Sequence, residues 1–304
     1  MKLTRRDLIR TGAGALALGG FGGLLSAGEA PIMTTVPSTG EQLPCVGIGT
    51  NRYRGDPASA GEMEPFLKTL EAFHVNGGRV IDTSPNYGNS EEVLGRLLSE
   101  LNRRDDVFMA TKVDREDAAE GEQRMESSAD RLGGRIDLMQ VHNLRGVDVQ
   151  LPTLQAWKAE GRFPYIGVTT HRVSQHAEIE RVMGQYPLDF IQINYSLADR
   201  AAADRLLPLA QDRGVAVLVN RPFGNGRLFE AVKGVDLPAW AAEIGAASWG
   251  QVFLKYIVSH PAATIPIPGT TKPHHVIDNL GAMHGGLPDP ALRSEMERFM
   301  DGLL

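Results

Sequence analysis

Residues 79–88 read Arg-Val-Ile-Asp-Thr-Ser-Pro-Asn-Tyr-Gly: a short apolar run that stops on Asp82, then a Pro/Asn/Gly turn that carries Tyr87. Two later runs have the same design. Residues 107–112 (VFMATK) close on Lys112, and residues 137–142 (DLMQVH) close on His142. Further runs of this kind are Tyr165–Thr169, Phe190–Tyr195, Val215–Asn220 and Thr264–Pro268, and Val46–Thr50 precedes them all. With Arg79–Ser84, Val107–Lys112 and Leu138–His142 that makes eight. Each is bounded by Gly, Asp or Pro and is apolar on both faces, as parallel strands covered by helices are.

Helical patterns lie between the runs. In GNSEEVLGRLLSELNR, at 88–103, Asn89 or Ser90 can cap, and Glu91 and Glu92 suit the first turn. Val93, Leu94, Leu97, Leu98 and Leu101 form one apolar face. Alternation of this kind predicts an α/β protein, a (β/α)8 TIM barrel with its chemistry at the C-terminal ends of the strands. Ahead of it, MTTVPSTGEQLPCVGIGT (33–50) reads as a β-hairpin turning at Ser38-Thr39-Gly40 and closing the barrel bottom. A doubly wound sheet needs a glycine fingerprint after its first strand. Gly47-Ile48-Gly49 has no third glycine in place.

The chain has 304 residues, 42% of them hydrophobic, enough for one large core. Its formal net charge of -6 argues against a nucleic-acid groove or an acidic-membrane patch. Cys45 is its single cysteine, so no intrachain disulfide can form. The apolar setting of Cys45 predicts a small buried core residue.

Residues 1–30 read as an address. Thr4-Arg5-Arg6-Asp7-Leu8-Ile9-Arg10 resembles a twin-arginine export signal, and a glycine-rich, mildly apolar segment follows to about Ala27. Small residues at 27–30 suit cleavage. The expectation is a cleaved signal at 1–30 and a single domain over 31–304, exported folded to the periplasm. The export machinery would be one partner, and the membrane would be touched only transiently, through the signal. A cytoplasmic or N-terminally anchored protein is the alternative. Residues 1–30 carry a charge of +2, so their removal takes the chain from -6 to -8.

Asp82, Tyr87, Lys112 and His142 at one barrel mouth would make a proton-donating site for a carbonyl. A phenol ordinarily holds its proton to about pH 10. A neighbouring lysine favours the phenolate, and an aspartate holds that lysine in place. A neutral histidine can hydrogen-bond the carbonyl oxygen and fix its angle.

From about Met33 to Leu304 the chain resembles the aldo-keto reductases. The residues that carry the likeness are Asp82–Gly88, Ala110-Thr111-Lys112, Asp137–Asn143, LPCVGIGT, Gln192 in FIQINYS, and IPIPGTTKPHHVIDNL near the end. The resemblance implies catalytic roles for Asp82, Tyr87, Lys112 and His142, with Tyr87 as proton donor. It implies a nicotinamide nucleotide, NADP(H) in preference to NAD(H), and a small carbonyl substrate that meets Asn143. Cofactor contacts are implied for Thr50, Thr169, Thr170, Gln192, Arg221, Pro222, Gly224, Gly269, Thr270, Lys272, His275 and Asn279.

The match has departures. Thr169-Thr170 stands where the family usually has Ser-Asn. Asn220 stands where an aromatic commonly stacks on the nicotinamide ring, so ring placement is expected to differ. Arg221 would reach the pyrophosphate or form a surface ion pair, and Lys272 would meet an adenosine 2′-phosphate. After the helix DPALRSEMERFM only Asp301–Leu304 remain, which implies an open pocket and loose specificity.

His274, His275 and His284 keep no ligand spacing, so no metal is expected. A monomer is compatible with the sequence. The chief rival is an exported nucleotide-binding sensor or accessory barrel with little turnover. A hydrolase or isomerase barrel would need a metal cluster or paired carboxylates, and the chain offers neither pattern.

Overall fold

The computed structural model describes residues 30–262 and 264–304. The export-signal reading lies outside the described residues. Strands β1 (Met33–Thr35) and β2 (Gln42–Pro44) pair antiparallel, Met33 opposite Pro44, and the turn between them passes through Gly40 at φ 79°. Eight parallel strands follow: β3 (Ile48–Gly49), β4 (Val80–Asp82), β5 (Phe108–Val113), β6 (Leu138–Val141), β7 (Tyr165–Thr169), β8 (Phe190–Asn194), β9 (Ala216–Asn220) and β10 (Thr264–Pro266). They pair in sequence order from β3 to β10.

The seam between first and last strands is closed by Gly47 N–H to the Pro266 carbonyl (2.9 Å), by Gly49 N–H to the Pro268 carbonyl (3.2 Å), and by a parallel bridge of Gly49 with Gly269. A Cβ at Gly49 would lie 2.9 Å from the Ile267 carbonyl oxygen, so the seam admits only glycine there without a shift. The predicted barrel is therefore the observed one, with strand ends within a few residues of the predicted ones.

The barrel's interior is a cluster of its own. Phe108, Tyr165 and Phe190 pack ring on ring, with Leu138, Ala216, Leu218 and Ile265 around them. Val36 and Leu43 of the hairpin belong to the same cluster, so the hairpin plugs one end. Thr34 Oγ1 donates to the Thr264 carbonyl and fixes it there.

The larger core lies between the strands and the outer helices. These are α1 (Ala60–Val75), α2 (Ser90–Glu100), α3 (Ala118–Arg131), α4 (Val147–Ala159), α5 (His176–Gln185), α6 (Leu206–Asp212), α7 (Arg227–Ala231), α8 (Trp240–Glu243), α9 (Trp249–Val258), α10 (Pro273–Gly281) and α11 (Pro290–Asp301). Cys45 is fully buried in this core, and burial pushes its thiol up to about 12, as an inert core residue requires.

The start of α2 differs from the sequence reading. Neither Asn89 nor Ser90 caps the helix with its side chain. Asn89 exchanges hydrogen bonds with the Gly55 backbone, and Ser90 Oγ donates to the Thr50 carbonyl. Both side chains tie the loop after β3 to the helix, a long-range demand that local spacing does not reveal. Glu91 is buried as well, accepting from Thr111 Oγ1 (2.6 Å) and pairing with Arg131 (2.6 Å). Among the described residues no helix is long and apolar enough to cross a membrane.

Candidate active site

Asp82 is the last residue of β4, and everything at the barrel mouth turns on it. Its Oδ1 accepts from Lys112 Nζ at 2.6 Å, both side chains being almost fully buried. Lys112 also donates to the Thr83 carbonyl (2.6 Å). Gln192 Nε2 donates to Asp82 Oδ2 (3.2 Å) and Gln140 Nε2 approaches Oδ1 (3.5 Å). A buried ion pair is costly unless its remaining valences are met. Here two interior glutamines and one carbonyl meet them.

Tyr87 sits on the turn after β4, with Lys112 Nζ 5.4 Å from its ring centre and the His142 ring edge-on at 6.1 Å. The sequence reading expects Lys112 to bring the phenol's proton loss toward neutrality. The Lys112 charge does pull it down and is the largest single influence, but burial and the Asp82 carboxylate outweigh it. The phenol ends above its usual value of 10, so Tyr87 rests as a neutral acid.

His142 follows β6 on a short 3-10 turn. Burial first, and the Lys112 charge second, push it down to about 3, so the imidazole is neutral under ordinary conditions. Ser84 Oγ accepts from the Asn86 N–H and stands 3.2 Å from His142 Nδ1. Asn86 Nδ2, which can only donate, also stands 3.5 Å from Nδ1, its amide oriented by Asp114 and Arg124, so Nδ1 is the accepting nitrogen. That leaves the ring proton on Nε2.

These groups open onto a cavity of about 1030 Å³. Its lining includes all four, and also Thr50, Asn143, Thr169, Gln192, Arg221, Pro222, Gly269, Thr270, His275 and Asn279. The cavity runs from β4–β6, past Asn220 on β9, to the first turns of α10. Three residues singled out from sequence do not line it. Thr170 turns its hydroxyl to Gln175 and the Arg172 N–H. Gly224 serves the chain's path at φ 57°. Lys272 is the exposed residue that caps α10, its N–H bonded to Thr270 Oγ1. Arg221 lines the cavity and has no ion partner among the described residues.

Asn220 has a different task from stacking. Its Oδ1 accepts from Gln192 Nε2 (2.8 Å), and its Nδ2 donates to the Thr170 carbonyl (3.2 Å). Both Gln192 protons are thereby used, on Asp82 and Asn220, and Gln192 Oε1 is left buried with no partner. A buried acceptor without a donor is costly and points to a missing one. An amide N–H₂ of a ligand lying in the cavity would supply it. The residues present thus fit a carboxamide-bearing cofactor. Sequence reasoning missed Gln140 and Ser84, and read Asn220 only as a departure from the family pattern. A polar residue inside an apolar strand run was the available signal for Gln140.

A model of the aldo/keto reductase family matches residues 45–293, and the chain belongs to that family. It is an NAD(P)H-dependent oxidoreductase. The aldo-keto reductase str7 of Strobilurus tenacellus is 28% identical over 258 residues, covering 71% of this chain and 75% of that one. The NADH-specific methylglyoxal reductase of Escherichia coli is 26% identical over 301 residues, covering 80% and 91%. Among solved structures, an aldo/keto reductase of Klebsiella pneumoniae in complex with NADP and acetate superposes with a TM-score of 0.75 at 23% identity, covering 88% of this chain and 95% of that.

Proposed function

We propose that the protein reduces an aldehyde or ketone to the alcohol, with Tyr87 as the proton donor and NADP(H) as the preferred nucleotide. The observation that carries this reading is the neutral Tyr87 phenol beside the buried Lys112–Asp82 pair, opposite a neutral His142, on one long cavity. The nicotinamide nucleotide, when bound, supplies the hydride. The chain's own residues do the rest. His142 Nε2–H and the Tyr87 hydroxyl both donate to the carbonyl oxygen, which fixes its place. Tyr87 then passes its proton to the oxygen as negative charge grows there, and Lys112 stabilises the phenolate left behind.

Gln192 Oε1, with Asn220 fixing the amide's orientation, would accept from the nucleotide's carboxamide. Gly269, Thr270 and the backbone amides opening α10 would meet phosphate, with Asn279 at the adenine. Lys272 at that end favours a 2′-phosphate by charge, and His275, whose protonation burial disfavours, can add a hydrogen bond. Export in folded form, with nucleotide loaded before transport, remains part of this proposal and is tested by cell fractionation.

The test is to release and identify any nucleotide from the purified protein, then to titrate it with NADPH and NADH by fluorescence. Tighter NADPH binding, or co-purified NADP, supports the reading. Tighter NADH binding overturns the nucleotide preference, and no binding of either overturns the hydride chemistry.

A further inference from the structure

Beside His142 the cavity wall is polar and cationic. A recess of about 340 Å³ opens there and shares Asn86, His142 and Asn143 with the main cavity. Asp114, Arg145 and Arg172 complete its lining. The Asp114 carboxylate is already engaged, by Asn86 Nδ2 (2.5 Å), Arg115 (2.6 Å) and, more distantly, Arg124 (3.8 Å). The guanidinium of Arg172 has no ion pair or hydrogen bond among the described residues. Arg145 meets Glu116 at 3.3 Å, with side chains 55% and 74% exposed, and an exposed pair of that kind holds weakly. Arg52 and Arg221 line the neighbouring cavity, also without ion partners among the described residues. In a chain of net charge -6, this mouth is cationic.

The backbone is unusual at the same place. Asn143 and Leu144 are consecutive non-glycine residues in the left-handed region, at φ 53° and 59°. Such strain needs local support and is typical of functional positions. The support is on hand: the Asn143 N–H donates to Thr169 Oγ1 (3.3 Å), and Asn143 Oδ1 meets His171 Nδ1 (2.9 Å). The turn leads into Arg145, which lines the recess together with Arg172.

We propose that this recess is an anion subsite, and that the physiological substrate is a carbonyl compound bearing an oxyanion group, carboxylate or phosphate. Arg172 and Arg145 hold the oxyanion through planar, forked donors. The carbonyl lies between Tyr87 and His142. The inference rests on the reductase reading above.

Steady-state rates with size-matched pairs test it: butanal against 4-oxobutanoate, and glyceraldehyde against its 3-phosphate. The wild type is expected to favour the anionic member of at least one pair through a lower KM, and the two pairs tell carboxylate from phosphate. In Arg172→Gln the ratio of anionic to neutral kcat/KM falls about tenfold to a hundredfold, the scale of a lost charged hydrogen bond. Turnover of neutral aldehydes with no anionic preference, or an unchanged ratio in the variant, overturns the subsite and leaves the reductase standing. If no aldehyde is reduced, calorimetric titration with succinate and glycerol phosphate decides. Saturable binding lost in Arg172→Gln supports the subsite, and absence of binding overturns it.

Discussion

Asp82 takes donors from three side chains, so Lys112 is held by geometry as well as by charge. Replacing Tyr87 by Phe removes the proton and leaves this scaffold intact. We expect Tyr87→Phe to lower turnover by several orders of magnitude while nucleotide affinity stays within a few fold, and equal loss of both would count against Tyr87 as donor. The raised pKa of Tyr87 also sets a direction. Reduction needs the neutral phenol and should be steady through neutral pH. Alcohol oxidation needs the phenolate, so its rate should climb as pH rises toward and beyond about 10, and an oxidation rate that levels off near neutrality would contradict the assignment. The four principal residues were legible because each is a polar type that closes or closely follows an apolar run. Asn220 was legible only as a departure. Its partnership with Gln192 joins two strands 28 residues apart, which local spacing cannot show.

At the scale of elements, α2 and α3 meet closely enough that side chains are excluded. A Cβ at Gly95 would sit 2.0 Å from the Arg131 carbonyl oxygen at the end of α3. Gly95→Ala should therefore destabilise the fold by about 2 kcal/mol, the scale of an overpacked contact, even though alanine is the better helix former. Chemical denaturation reads this directly, and a stabilised variant would refute the close approach. The same helix shows where sequence reading stops. Its apolar face was evident from periodicity. Glu91, read from sequence only as suiting the first turn, proves to be a buried tie between Thr111 on β5 and Arg131 on α3. A glutamate's chemistry is the same in either place, so only the tertiary partner distinguishes them.

For the whole molecule, the barrel was readable because eight short, doubly apolar runs alternate with helices. Strand ends were less so, since β3 keeps only Ile48–Gly49 in ladder form, while Val46 packs in the outer core, Gly47 bonds across the seam and Thr50 lines the cavity. The histidines set the acid limit of the fold. His142 is pushed down to about 3 and His260 to about 4, both chiefly by burial. Each binds a proton less readily folded than unfolded. Their contribution is therefore complete above the usual histidine value of 6.5 and is lost as pH falls from there toward the depressed values. The melting temperature should drop between about pH 6.5 and 4, and His260→Gln, remote from the cavity, should flatten that slope. An unchanged slope would remove His260 from the account.

The barrel's seam has a bearing on motion. Gly49 and Gly269 are joined by an isolated parallel bridge across the seam, and both also line the cavity. Whatever occupies the cavity therefore acts as a clasp on the barrel's own closure. In hydrogen–deuterium exchange the amides of Gly47 and Gly49 should be the most labile of the inner strands when the cavity is empty, and the most strongly slowed once it is filled.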